Sequence, residues 1–89
     1  MKMRDLKEIR DEIDAIDTQL AALFQRRMAV MDEVAQAKKA SGVPTTDSSR
    51  ENDILNRLAQ QHPDCAQDLR KLYALIFSLA KDRQSTTIP

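Results

Sequence analysis

An all-α fold of three helices, one long and two shorter, follows from three observations on this 89-residue sequence. Leu6, Ile9, Ile13, Ile16, Leu20, Leu23, Met31 and Val34 recur at three- and four-residue steps, the mark of one apolar helical face. Only one Gly and three Pro interrupt the chain, every Pro lies beyond residue 43, and aromatics make up 3%. Such a composition suits a helical bundle. The breaks fall in two places, Ser41-Gly42-Val43-Pro44 and Gln61-His62-Pro63, and so cut the chain into three segments.

The first segment predicts a helix from about Asp5 to Ala40. Good helix formers fill it, Glu8 and Glu12 stand near its start, and Lys38 and Lys39 stand near its end, all favourable to the helix dipole. Gly42 is available for a left-handed cap, and Pro44 cannot continue the helix. The second helix is expected over 48–61. Ser48-Ser49-Arg50-Glu51 fits a capping box, with Asp47 as the alternative cap one residue earlier. Glu51, Ile54, Leu55 and Leu58 form its inner face. The third helix is expected over 65–84, with Leu69, Leu72, Tyr73, Ile76, Phe77 and Ala80 inward. Residues 85–89 carry no periodicity and read as a frayed tail. One domain over 1–89 accommodates all of this.

Fourteen cations balance fourteen acids, which argues against nucleic acid or an anionic membrane surface as the main partner. The charged start, MKMRDLKEIRDE, has no signal-peptide character, and no apolar run approaches the roughly 20 residues that cross a bilayer. A cytoplasmic protein is expected. The single Cys65 has no partner for an internal disulfide and no metal-ligand spacing around it, so it reads as a simple thiol. A 36-residue helix is about 54 Å long. The short third helix cannot cover its whole apolar stripe, so a second copy must. An intertwined homodimer is therefore expected, because a monomer would expose a long Leu/Ile seam.

Polar residues inside the stripes carry the functional signal. Arg27 and Lys38 fall within about 20° of each other at the centre of the first stripe. Burying unpaired charge is expensive, and an anion held between the two cations would offset that cost. Met31 and Val34 give the space between them an apolar floor. Glu51 lies within about 20° of Leu58 on the second helix, and Gln84 continues the line of Leu69, Tyr73, Ile76 and Ala80 on the third. Each residue also has a plainer explanation. Arg27 and Lys38 can snorkel from a seam, Glu51 can serve only as a capping acid, and Gln84 can belong to a fraying end. Together they need four separate excuses. Arg10 points about 100° away from Arg27 and stands about 25 Å up the axis. It cannot share a pocket with Arg27 within one chain, but in an antiparallel dimer it can serve the partner's site.

These residues in this order resemble the all-helical, AroQ-class chorismate mutases. The resemblance runs from about Leu6 to Gln84 and rests on Leu6-Lys7-Glu8-Ile9-Arg10-Asp11-Glu12-Ile13-Asp14, Gln25-Arg26-Arg27, Ala35-Gln36-Ala37-Lys38 and Asp47-Ser48-Ser49-Arg50-Glu51, with Gln84 downstream. It implies an intertwined dimer with two equivalent sites and the Claisen rearrangement of chorismate to prephenate. By the same resemblance, Arg27 and Arg10 of the partner subunit would hold the two substrate carboxylates. Lys38 and Gln84 would hydrogen-bond the ether oxygen whose C–O bond breaks. Glu51 would accept from the ring hydroxyl, helped by the backbone at Asp47, and Arg50 would support the pocket. Where the family often has Ser, one turn before the Gln, this chain has Ala80, so one auxiliary hydroxyl contact is missing.

A pericyclic reaction needs no nucleophile, metal or cofactor, and the resemblance implies none. It needs a flexible dianion held in a reactive pose and donors aimed at the developing charge. Isochorismate pyruvate lyase is the rival within the fold. A non-catalytic helical dimerisation or regulatory module is the rival of another kind. Ser85–Pro89 ends without a structural stop, which is compatible with one domain of a fusion to prephenate dehydratase, prephenate dehydrogenase or DAHP synthase.

Overall fold

In the computed structural model, residues 3–42 and 47–87 are described, the side chains of 84–87 excepted. Three α-helices and a short 3-10 turn account for most of them. They are α1 (Leu6–Ser41), α2 (Ser48–Gln61), the turn Pro63–Cys65, and α3 (Ala66–Thr87). The chain divides into two compact units, Met1–Val30 and Met31–Pro89.

Each helix end has a local cause. Asp5 caps α1: its Oδ1 accepts from the Glu8 amide at 2.8 Å, which satisfies one of the orphan donors of the first turn. At the far end the Ser41 hydroxyl donates to the Ala37 carbonyl at 3.0 Å. Gly42 then adopts φ +75°, the left-handed cap its lack of a Cβ allows. The expectation for Val43 and Pro44 lies outside the described residues.

The N-cap of α2 is Asp47, whose Oδ1 accepts from the Arg50 amide at 2.9 Å. The capping box built on Ser48 is therefore corrected. Ser48 is already the first helical residue, and the charged Asp47 takes the cap. Glu51 is thereby released from a capping role. Pro63 begins the 3-10 turn, where its fixed φ and missing N–H cost nothing. The α-helix proper then starts at Ala66 rather than Cys65. At its other end α3 continues to Thr87, beyond the expected stop at Gln84. No Gly or Pro stands between 84 and 87 to break the ladder.

Within Met31–Pro89, α2 and α3 form an antiparallel hairpin. Glu51 meets Lys81 near one end, and Asn56 accepts from Arg70 nearer the turn. Ile54 from α2 and Ile76, Phe77 and Ala80 from α3 are buried, as is Ala35 from α1. Tyr73 packs edge-on to Phe77 with ring centroids 5.8 Å apart, a favoured aromatic geometry. An Arg83–Asp32 ion pair at 2.9 Å ties α3 to the last third of α1. Leu72 departs from expectation, since it is 44% exposed. It stands within about 20° of Leu79, on the outer side of α3.

The unit Met1–Val30 consists mainly of the first part of α1. Leu6, Ile13, Ile16, Leu20 and Leu23 are all exposed there, each by about half. A single helix has no interior of its own, so its apolar face stays open until another surface covers it. Surface ion pairs lace its start, with Arg4 on Glu12 and Lys7 on Asp11. Such exposed pairs contribute little to stability.

Candidate functional site

The predicted site residues are divided between the two units. Arg10 and Arg27 belong to Met1–Val30, and Lys38, Asp47, Arg50, Glu51, Ala80 and Gln84 belong to Met31–Pro89. Arg10 is exposed and Arg27 half-buried. Both lie on α1, seventeen positions and about 25 Å apart, so one chain does not bring them together.

Lys38 is half-buried, in the last turn of α1. Its place on the inner side of the helix agrees with the stripe arithmetic. Asp47 and Arg50 are exposed at the start of α2, joined by the cap bond. That bond fixes the first turn of α2 and therefore the direction from which Glu51 leaves the backbone. Ala80 is buried, 3% exposed, so a Ser at this place would also lie inside. Gln84 is on the backbone of α3, and its side chain lies outside the described residues.

Glu51 is the best-defined of these groups. Its side chain is 26% exposed, and its Oε2 stands 3.3 Å from the Lys81 Nζ. The two face each other across a cleft of ≈ 440 Å³ lined by Glu51 and Leu55 of α2 and by Ala74, Phe77, Ser78, Lys81 and Asp82 of α3. The carboxylate is thus partly desolvated against apolar neighbours and compensated by one cation, which is the usual condition for a charge to be kept there.

Lys81 is a neighbour of Glu51 that the sequence alone does not mark. A lone Lys on an amphipathic helix looks like an ordinary solvated charge, and its partner stands on another helix. The available signal was indirect: an acid on the inner face of α2 needs a counter-charge, and positions 74, 77, 78 and 81 share one side of α3. The same holds for the Asp32–Arg83 pair, which ties two helices far apart in sequence.

Among the described residues no group of three or more His, Cys, Asp or Glu is arranged to hold a metal. Cys65 is an exposed free thiol. Among the described residues no helix is long and apolar enough to cross a membrane.

Comparison with known proteins adds a family to this geometry. A family model described as chorismate mutase type II matches residues 9–85. The intracellular chorismate mutase of Mycobacterium tuberculosis (strain H37Rv) is 33% identical over 60 residues, covering 67% of this chain and 57% of its own length. The chorismate mutase of Methanocaldococcus jannaschii is 38% identical over 53 residues, covering 60% and 54%. The bifunctional chorismate mutase/prephenate dehydratase of Escherichia coli K12 is 36% identical over 74 residues, which is 80% of this chain and 19% of that protein. The chain therefore spans little more than half the length of the first two relatives and about a fifth of the third. No solved structure matches significantly.

Proposed function

This chain belongs to the chorismate mutase type II family, and on that footing we propose that it rearranges chorismate to prephenate as an intertwined homodimer with two equivalent sites. The observation that carries the reading is the extent of the family match. Residues 9–85 take in every position assigned to the site, from Arg10 to Gln84. The half-buried Lys38 and Glu51 and the buried Ala80 support it, because these side chains turn inward.

In this reading each group has one task. Arg27 and Arg10 of the partner subunit hold the two carboxylates and fold the enolpyruvyl arm over the ring, an orientation effect that lowers the entropic cost of reaching the reactive pose. As the C–O bond breaks and the new C–C bond forms, negative charge grows on the ether oxygen. Lys38 and Gln84 donate to that oxygen and stabilise the charge where it develops. Glu51 accepts from the ring hydroxyl beside the Asp47 backbone, while Arg50 supports the wall. The electrons move within the substrate, so no nucleophile or cofactor is called for. A cytoplasmic location belongs to the same proposal and is supported by the relative described as intracellular.

The test is chorismate disappearance and prephenate formation by the purified chain, with isochorismate assayed in parallel. Saturable mutase turnover is expected. Arg27→Ala and Lys38→Ala should each lower kcat/KM by about 100- to 1,000-fold, the usual loss for one preorganised donor, with helical circular dichroism retained. Pyruvate release from isochorismate at higher efficiency would replace the mutase with the lyase. No turnover of either substrate would leave a helical dimerisation or regulatory module.

A further inference from the structure

The Glu51 carboxylate poses two difficulties for a site that takes a dianion. It stands on a wall shared with Leu55, Ala74 and Phe77, where a flexible side chain has several rotamers and little to choose among them. Its charge also opposes the approach of a second carboxylate. One contact answers both. The Lys81 ammonium reaches Oε2 at 3.3 Å, fixing one end of the carboxylate and cancelling its charge.

Three further observations give this pair a role beyond the fold. Lys81 immediately follows Ala80 and precedes Gln84 by one turn of α3, so the helix carrying two assigned site positions also carries the cation. The pair lies in the α2–α3 cleft and not on an open helix surface. With side chains 42% and 26% exposed, it is the kind of partly solvated pair that adds little to stability. A contact that does little for the fold yet fixes a half-buried site carboxylate is expected to matter for the substrate.

We propose that Lys81 is a positioning residue acting through Glu51: it holds one carboxylate oxygen and presents the other to the hydroxyl of the bound dianion. The inference rests on the mutase reading and deepens it, since the family resemblance assigns no role to position 81. Asp82 is the other acid among the residues lining the cleft.

A double-mutant cycle on the full chain tests the proposal, using steady-state chorismate kinetics for the wild type, Lys81→Met, Glu51→Gln and the double variant. Lys81→Met should lower kcat/KM by about tenfold in the wild type and by less than about twofold once Glu51 is Gln, because coupled groups are non-additive. Lys81→Arg, which keeps the cation, should stay within about threefold of wild type. Lys81→Gln repeats the cycle should the Met variant fold poorly, and thermal unfolding of every variant checks the fold. Equal losses in both Glu51 backgrounds would overturn the role and point to Asp82 or to the general field. No loss on removing the cation would overturn it too. A wild-type chain without mutase turnover would overturn the parent reading and this one with it. Turnover with an additive cycle would overturn the Lys81 role alone.

Discussion

In the proposed reaction Lys38 and Gln84 share one task, an N–H aimed at the ether oxygen, but they meet it with different chemistry. An ammonium donates with a full charge, whereas a primary amide donates at any pH. A carboxyl group at position 84 would donate only when protonated. Gln84→Glu is therefore expected to move the activity optimum towards acid pH, with kcat/KM rising as pH falls through the new carboxyl's range. A pH–rate profile checks this, and a flat profile at the wild-type rate would remove Gln84 from the site. At the residue scale the helical wheel could find Glu51, because an acid on an apolar face breaks the pattern. It could not find Lys81, because a cation there breaks nothing until α2 is laid against α3.

The elements show how a local contact positions a distant function. The Asp47 cap orders the first turn of α2 and with it Glu51, one position beyond the amide that the cap accepts. Asp47→Ala should destabilise the protein by about 1 kcal/mol, read from denaturant unfolding, and Asp47→Ser should recover most of it. An unchanged midpoint in Asp47→Ala would show that the cap contributes nothing to stability. Both candidate caps are visible in the sequence, since Asp47 and Ser48 are each good N-cap residues. Which of them caps is a matter of backbone geometry that composition does not fix. Within the hairpin, Phe77 is 8% exposed and packs on Tyr73. Phe77→Ala should cost about 3–5 kcal/mol, a typical value for a large buried aromatic. A thermal or denaturant melt measures it, and a loss below 1 kcal/mol would mean the hairpin interior is not the core described above.

For the whole molecule, the decisive feature is the exposed apolar stripe of Met1–Val30. Leu6, Ile13, Ile16, Leu20 and Leu23 form a regular stripe and are each about half exposed. A seam of that length is characteristic of an interaction surface, and the proposed occupant is a second copy. The melting temperature should then rise with protein concentration, as mass action requires, and Ile16→Asp should abolish that dependence. The proposed sharing of each site between two subunits has its own test. Arg10→Ala and Arg27→Ala subunits, each inactive alone, should regain about a quarter of wild-type activity when mixed and refolded. Half the dimers would be mixed, each with one intact site, as two-fold symmetry dictates. No recovery would argue against a site shared between the subunits.

The number of helices and their approximate ends were legible in the sequence alone, because a period of 3.6 residues, Gly, Pro and cap residues act over a few positions. The same short-range arithmetic singled out Arg27, Lys38, Glu51 and Gln84 as polar residues at apolar places. Only the tertiary structure turned Leu72 outward and paired Glu51 with Lys81 and Asp32 with Arg83. These outcomes depend on which helix face meets which. That is decided by packing between segments remote in the chain, a relation that no local periodicity contains.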